Sequence, residues 1–222
     1  VLLIEQESNF GGEILSSHRD NKKINNIPIK DWKDNIINYL KNCSNVKIIS
    51  NTTCFAYFHY NLLLAIQDLE PEKGLTKTNN IRQRIWKIRT KQVVLATGSI
   101  ERPIIFNNND RPGIMLANSA RKYLNKFGVV VGNNLVFFTN NDSAYETAIN
   151  LNQKGINIEA VIDNREEVDS KLVKETENNK IRVYKGYTVV DTSGYKKINN
   201  VSIMQLSKDG EKAIGSKISI SC

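Results

Sequence analysis

The sequence predicts an α/β fold built on parallel strands, and three observations predict it. First, apolar runs stop abruptly at polar or small residues: Val1–Ile4 at Glu5, Val93–Ala96 at Thr97-Gly98, and Ile158–Ile162 at Asp163. Continuous apolar runs of this length fit strands covered on both faces. Second, Trp32, Ile36, Ile37 and Leu40 recur at helical spacing between two such segments. Third, Leu135–Phe138, Ser143–Lys154 and Ile158–Ile162 follow one another as strand, helix and strand, the order an open parallel sheet needs.

Val1–Ile4 reads as a buried strand ended by Glu5, followed by Phe10-Gly11-Gly12 and a polar stretch to Ile27. A helix is expected over Asp31–Asn42, with Asp31 as its N-cap, Pro28 just before it, and Trp32, Ile36, Ile37 and Leu40 on its inner face. Strands follow at Val46–Ile49, Thr52–Tyr60 and Leu62–Leu69, and Glu70–Asn80, with Pro71 and Gly74, reads as a turn or loop. Arg84–Ala96 is expected as a long strand or a pair of strands. Its first half alternates, with Trp86 and Ile88 on one side and Lys87, Arg89 and Lys91 on the other. Its end, Val93–Ala96, is expected to be a central parallel strand.

An irregular stretch through Pro103 and Arg111-Pro112-Gly113 leads to a helix over Asn118–Phe127, stopped by Gly128. The helix over Ser143–Lys154 carries a Ser143-x-x-Glu146 capping box and Gly155 as its stop. Val183–Val190 and Val201–Leu206 are further strands, with turns at Ser193-Gly194 and Asp209-Gly210, and the chain is still strand-like at Ser221-Cys222.

Composition excludes several function classes. Hydrophobic residues make up 40% of the chain and charged residues 24%, within the range of soluble globular proteins. The 222 residues are enough for one large or two small domains. Runs such as Leu62–Ile66 are too short to cross a bilayer, and no basic-then-apolar segment opens the chain. A soluble, cytoplasmic protein without a membrane partner is therefore expected. The three cysteines, Cys43, Cys54 and Cys222, show no CxxC spacing, which argues against a disulfide framework, a zinc site or a redox pair. With only His18 and His59, a histidine-rich metal site is not expected. The net charge of +8 could point to nucleic acid, but the lysines are scattered and no recognition motif accompanies them.

Two features would act on one ligand. Glu5 ends a buried strand, where an acid in a dinucleotide-binding fold accepts hydrogen bonds from the adenosine ribose hydroxyls. A carboxylate there suits an unphosphorylated ribose. Gly11-Gly12 follows and would let backbone approach a ligand. The second feature is Ala96-Thr97-Gly98, small residues that leave room above a strand end. On the residues alone, a solvated strand end and a ligand-free tight turn stand beside these readings. A GxGxxG phosphate loop belongs before the acidic strand, and none occurs in the chain. The expectation is a fragment whose loop lies upstream. In the second βαβ unit, Thr139–Ala144 stands where glycines would fall, and Asp142 would oppose a pyrophosphate. That second site is expected to be vacant, with Asp163 a strand-end polar residue.

The run RIWKIRTKQVVLATGSIERPIIFNNNDRPGIMLANSARKYLNKFGV, followed by FTNNDSAYETAINL, resembles the alpha subunits of heterotetrameric sarcosine oxidases. LIEQESNFGG and NTTCFAYFHYN resemble earlier segments of the same subunits. Opine-oxidase and cyanide-synthase subunits share the outline. The resemblance implies an FAD/NAD(P)-binding Rossmann-like fold of the two-dinucleotide-binding flavoprotein type, with an incomplete first domain and a second, inserted Rossmann-like unit. The implied complex of alpha, beta, gamma and delta subunits oxidises sarcosine to glycine, reduces oxygen to hydrogen peroxide and passes a one-carbon unit to tetrahydrofolate. It implies NAD in this subunit, FAD in the beta subunit, FMN between alpha and beta, and a downstream folate-binding domain.

By position, the resemblance implies cofactor contacts from Glu5, Gln6, Glu7, Gly11, Gly12, Glu13, Cys54, Ala96, Thr97 and Gly98. Glu7 stands where the family commonly has arginine, and Glu13 where a small hydroxyl residue can contact the cofactor. No residue reads as a catalytic base or nucleophile. The expected organisation is a partial dinucleotide-binding domain over 1–113, a Rossmann-like unit with a degenerate glycine loop over 114–191, and strands over 192–222 returning to the first domain. Alone, the fragment is expected to be inactive and prone to aggregate through an unpaired sheet edge. The alternatives are a non-catalytic scaffold subunit with an empty nucleotide site and an FAD-dependent subunit.

Overall fold

The computed structural model describes residues 1–16, 23–69 and 81–222. These divide into two compact units, Val1–Gly98 and Ser99–Cys222. His18 and the Glu70–Asn80 loop of the sequence reading lie outside the described residues.

In the first unit, β1 (Leu2–Ile4) ends at Glu5 as expected. A short 3₁₀ turn follows over Gly12–Ser16. The hairpin of β2 (Lys23–Ile24) and β3 (Ile27–Pro28) turns on Asn25 and Asn26, both at positive φ. Asparagine tolerates that conformation, and a two-residue turn of this kind matches strand twist. Next is α1 (Ile29–Asn42), whose N-cap is Pro28 rather than the expected Asp31. Proline fits a helix start because it has no N–H to leave unpaired. Trp32, Ile37 and Leu40 are half-buried, as an inner face requires, but Ile36 is exposed.

Then β4 (Lys47–Ile49) lies parallel to β1, with Leu2 opposite Lys47 and Ile4 opposite Ile49. An antiparallel meander completes the unit: β5 (Thr52–Phe58), β6 (Leu62–Asp68) and β7 (Gln83–Arg89), in that spatial order. The expected alternation along β7 is present, with Trp86 and Ile88 half-buried and Lys87 and Arg89 exposed.

Val93–Ala96 departs from its reading as a central strand. It has no regular structure, and Val94 and Leu95 are 88% and 73% exposed. An apolar run becomes a central strand only by pairing on both edges, and among the described residues no strand lies beside this one.

In the second unit, α2 (Ala117–Phe127) is capped by Gly128 at φ 66°, the left-handed stop read from the sequence. β8 (Asn134–Thr139), α3 (Ser143–Gln153), β9 (Asn157–Asp163), α4 (Ser170–Asn178) and β10 (Arg182–Lys185) form a parallel sheet in the order β10-β9-β8. The α3 start corrects the capping-box reading. Asp142 is the N-cap position and makes no side-chain cap, while Asn141 Oδ1 accepts from both the N–H and the hydroxyl of Ser143. An asparagine two residues upstream competes effectively for the same donor.

The α4 helix was not read from the sequence. Its N-cap, Asp169, accepts from the Lys171 N–H at 2.8 Å. The single strand expected over Val183–Val190 is two, because Gly186 at φ 69° breaks it. β11 (Tyr187–Ser193), β12 (Asn200–Leu206) and β13 (Ala213–Ser221) make an antiparallel sheet. Its buried Val189, Val201, Ile203 and Ile220 pack with Ala160 and Ile162 of β9. On the other face of β8–β9, Tyr145, Ala148 and Leu151 of α3 join Ile158 and Val161. The second unit's core thus has three layers, which is why β9 is apolar on both sides.

Arg111-Pro112-Gly113 is fastened to this core. The Arg111 guanidinium donates to the Gly194 carbonyl, and the Asn107 and Asn108 amides donate to Asp191 at 3.1 and 2.9 Å. The Asn108 bond and the Thr192 N–H hold the Asp191 carboxyl below its ordinary range.

Candidate functional site

The expected cofactor residues begin at the carboxyl end of β1. The Glu5 N–H donates to Ile49 at 3.0 Å, continuing the parallel pairing by one residue. The chain then turns: the Glu5 carbonyl accepts from Thr52 N–H at 2.9 Å, and the Glu7 carbonyl from Asn51 N–H at 3.1 Å. Glu5 Oε1 accepts from the Glu7 N–H at 2.9 Å, which fixes the side chain over its own turn. Glu5 and Glu7 are half-buried, and Gln6 is exposed. Glu5–Glu7 and the start of β5 are therefore one backbone-bonded cluster. Cys54 lies two residues along β5, exposed, at a bulge between Cys54 and Ala56.

The two glycines play different parts. A Cβ on Gly11 would come within 2.7 Å of Lys33 Cδ on α1, and Gly11 has φ 130°. Its close neighbour is the helix. Gly12, at φ 50°, would meet nothing within 4 Å, so its backbone faces open space. The Lys33 ammonium is paired with Asp34 at 2.6 Å. Glu13 is exposed at the start of the 3₁₀ turn.

Ala96, Thr97 and Gly98 are exposed and in no regular element. Gly98 takes φ 70°, and a Cβ there would also meet nothing within 4 Å. Glycine at this position is required by backbone conformation and not by close packing against the described residues.

The corresponding end of the parallel sheet in the second unit is built differently. Asp163 closes β9 with 0% exposure. It accepts from the Tyr145 hydroxyl at 3.0 Å, and Arg165 clamps both its oxygens, at 3.1 Å from Nε and 2.8 Å from Nη2. The same guanidinium donates to Asp142 at 2.7 Å, at the α3 start. Burial, then the Asp163 charge, pushes the Tyr145 phenol above its ordinary range. Hydrogen bonds, to Asp163 foremost, hold Arg165 still more firmly protonated. Asp163 is thus a strand-end polar residue, as read from the sequence, and both its oxygens are spent inside the protein. No motif in the sequence marks Tyr145 or Arg165. The available signal was an arginine two residues beyond a strand-end acid, which can fold back on it.

Among the described residues no group of acids, histidines and cysteines could hold a metal ion. No helix of the described chain is long and apolar enough to cross a membrane.

No protein-family profile matches the chain. It is similar to sarcosine oxidase subunit alpha of Corynebacterium sp. (strain P-1), 36% identical over 214 residues covering 95% of this chain. It is also similar to the subunits of that name from Corynebacterium sp. (strain U-96), at 34% over 97% of the chain, and Rhizobium meliloti (strain 1021), at 31% over 91%. The chain spans about a fifth of the length of these relatives, 22%, 22% and 20%. Among solved structures, the fold matches L-proline dehydrogenase from P. horikoshii with a TM-score of 0.63 and 20% identity, covering all of this chain and 35% of the other. It matches T. acidophilum thioredoxin reductase with a TM-score of 0.64 and 14% identity, covering all of this chain and 66% of the other. The chain belongs, over the segment it spans, to the sarcosine oxidase alpha-subunit family, and its fold is that of the FAD/NAD(P)-binding oxidoreductases.

Proposed function

We propose that this chain is part of an oxidoreductase subunit whose first unit holds the adenosine end of NAD. The whole protein would work with beta, gamma and delta subunits in the cytoplasm. That complex would oxidise sarcosine with oxygen as acceptor and tetrahydrofolate as one-carbon acceptor. The likeness to sarcosine oxidase alpha subunits supports the reaction and the complex, and the observation that carries the NAD reading is Glu5. Its carboxylate is half-buried at the end of a parallel strand, and Oε1 is held by the Glu7 N–H. Oε2 takes no hydrogen bond from the described residues, so it can accept from a ribose diol.

Glu5 would hold the ribose hydroxyls, with Gln6, Glu7, Gly12 and Cys54 around it and Ala96–Gly98 on the cofactor side. Gly11 acts by seating this turn on α1. The acids suit ribose and not phosphate. Bound NAD would serve structure here, with electrons running through FAD and FMN elsewhere in the complex.

The adenosine ribose is common to NAD and FAD, so the same carboxylate supports an FAD reading. The test is to purify the intact subunit with its partners, release small molecules with acid and identify them by mass spectrometry. About one NAD per subunit is expected. A flavin bound to the isolated subunit would favour the FAD reading. No nucleotide at all would leave a scaffold role.

A further inference from the structure

Both faces of the meander carry apolar residues, and the described residues of the first unit cover one face more fully than the other. On the inner face, Leu63 and Ala65 are 7% and 0% exposed. Trp86, opposite Ala65, lies under the Lys47 ammonium at 4.7 Å and donates to Gln67 at 2.9 Å. Alternation puts Leu64 and Ile66 on the outer face, with Phe58, Ile85, Lys87 and Arg89. Ile66 pairs with Ile85, and Leu64 with Lys87. Phe58 and Ile85 are 50% and 69% exposed. An antiparallel sheet with one solvated face ordinarily makes that face polar. A contiguous apolar strip of this kind marks an interaction site.

The charge pattern says what fits it. Lys87 and Arg89 stand exposed beside the apolar strip, and among the described residues neither forms an ion pair. Asp68, opposite Gln83 at the far end of the same face, is half-buried, so the exposed charge of this face is basic. A second copy meeting this face by two-fold symmetry would bring like charges together, which disfavours self-association. We propose that the outer face of the β5–β7 meander docks an acidic-rimmed apolar face of another protein subunit. This rests on the reading of the chain as part of a multi-subunit oxidoreductase. The aliphatic strip would supply the dry centre, and Lys87 and Arg89 the cationic rim.

The experiment uses the intact subunit co-expressed with its partner subunits and weighed by light scattering after size exclusion. Two variants are compared with wild type: Lys87→Glu with Arg89→Glu, and Ile85→Asp. Both change exposed side chains, and an unchanged melting temperature of each isolated variant shows that folding is intact. If Ile85→Asp does not fold, the charge-reversed variant decides. The expected result is an assembly about tenfold or more weaker in each, with wild-type assembly weakening as salt rises. Wild-type-like assembly of the charge-reversed variant overturns the proposal and leaves the multi-subunit reading standing. So does a wild-type dimer that Ile85→Asp disperses, or binding to phosphatidylserine vesicles in place of the subunits. A wild-type chain that assembles with no subunit sinks the multi-subunit reading and this surface with it.

Discussion

Tyr145 on α3 donates its hydroxyl hydrogen to Asp163 at the end of β9, at 3.0 Å, with both side chains closed to solvent. Glu5 ends β1 at the matching place in the first unit but is half-buried, with one oxygen engaged by its own turn. Two acids at equivalent strand ends thus have opposite fates. One is consumed by a phenol and a guanidinium, and the other keeps one oxygen without a hydrogen bond from the described residues.

Removing Tyr145's hydroxyl should cost little, because Arg165 still satisfies both Asp163 oxygens. Tyr145→Phe is expected to lower stability by about 1 kcal/mol, the net worth of one hydrogen bond. Asp163→Ala leaves a buried phenol without its partner and removes one of the two carboxylates that hold the Arg165 guanidinium, and should cost roughly 3 kcal/mol. Urea unfolding of the two variants measures the difference. Equal losses would show that Arg165 does not hold the carboxylate.

The same pair sets an alkaline limit. Burial and the Asp163 charge raise the Tyr145 phenol above its ordinary value, which is about 10 in an unfolded chain. The folded state therefore binds this proton more tightly. Its contribution to stability is complete below about pH 10 and is lost as pH rises through the folded value. Wild type should lose stability above pH 10, and Tyr145→Phe should lose less. Parallel pH profiles in the two proteins would refute this.

Glu5→Gln and Glu5→Ala separate cofactor from fold. Gln keeps an oxygen that can accept the Glu7 N–H, while Ala removes it. Both should lower the NAD recovered from the purified complex about tenfold, since a charged acceptor is lost in each. Only Glu5→Ala should also lower the melting temperature. NAD content unchanged in Glu5→Gln would place the ribose contact elsewhere.

How much of this was legible in the sequence depended on how local the cause was. Gly128 as the α2 stop and the Trp86/Lys87 alternation were readable, because φ sterics and period-two geometry act within a few residues. The α3 cap was misread because Asn141 and Ser143 offer rival local bonds with the same residue types. Val93–Ala96 was misread for a non-local reason: an apolar run states that it can be covered and not what covers it. Tyr145 and Arg165 went unseen because the pairing spans α3 and β9, and no short pattern carries it. The acid at Glu5 was readable, while Gly11's packing on Lys33 needed the helix in place.

Two glycines at positive φ should respond very differently to alanine. At Gly194, φ is 139° and a Cβ would fall 1.9 Å from the Lys197 carbonyl oxygen. Backbone cannot yield as a side-chain tip can, so Gly194→Ala should cost more than about 3 kcal/mol, through overpacking and backbone strain together. At Gly155, φ is 87° and a Cβ meets nothing, leaving only the left-handed penalty of about 1 kcal/mol. Chemical denaturation should rank the two clearly. A mild Gly194→Ala would mean that the turn at Ser193–Asn199 can rearrange.

The α3 cap gives the sharpest contrast between sequence pattern and structure. A Ser143 capping box predicts that Ser143→Ala is the costly change. The bonds predict the reverse: Asn141 Oδ1 accepts the Ser143 N–H at 3.1 Å and its hydroxyl at 2.6 Å. Asn141→Ala removes the acceptor for both donors at the helix start and should cost about 1 kcal/mol. Ser143→Ala leaves the N–H bond intact but also deletes an exposed donor, and should cost less than half as much. The reverse order in thermal melts of the two variants would restore the capping box and make the Asn141 contact incidental.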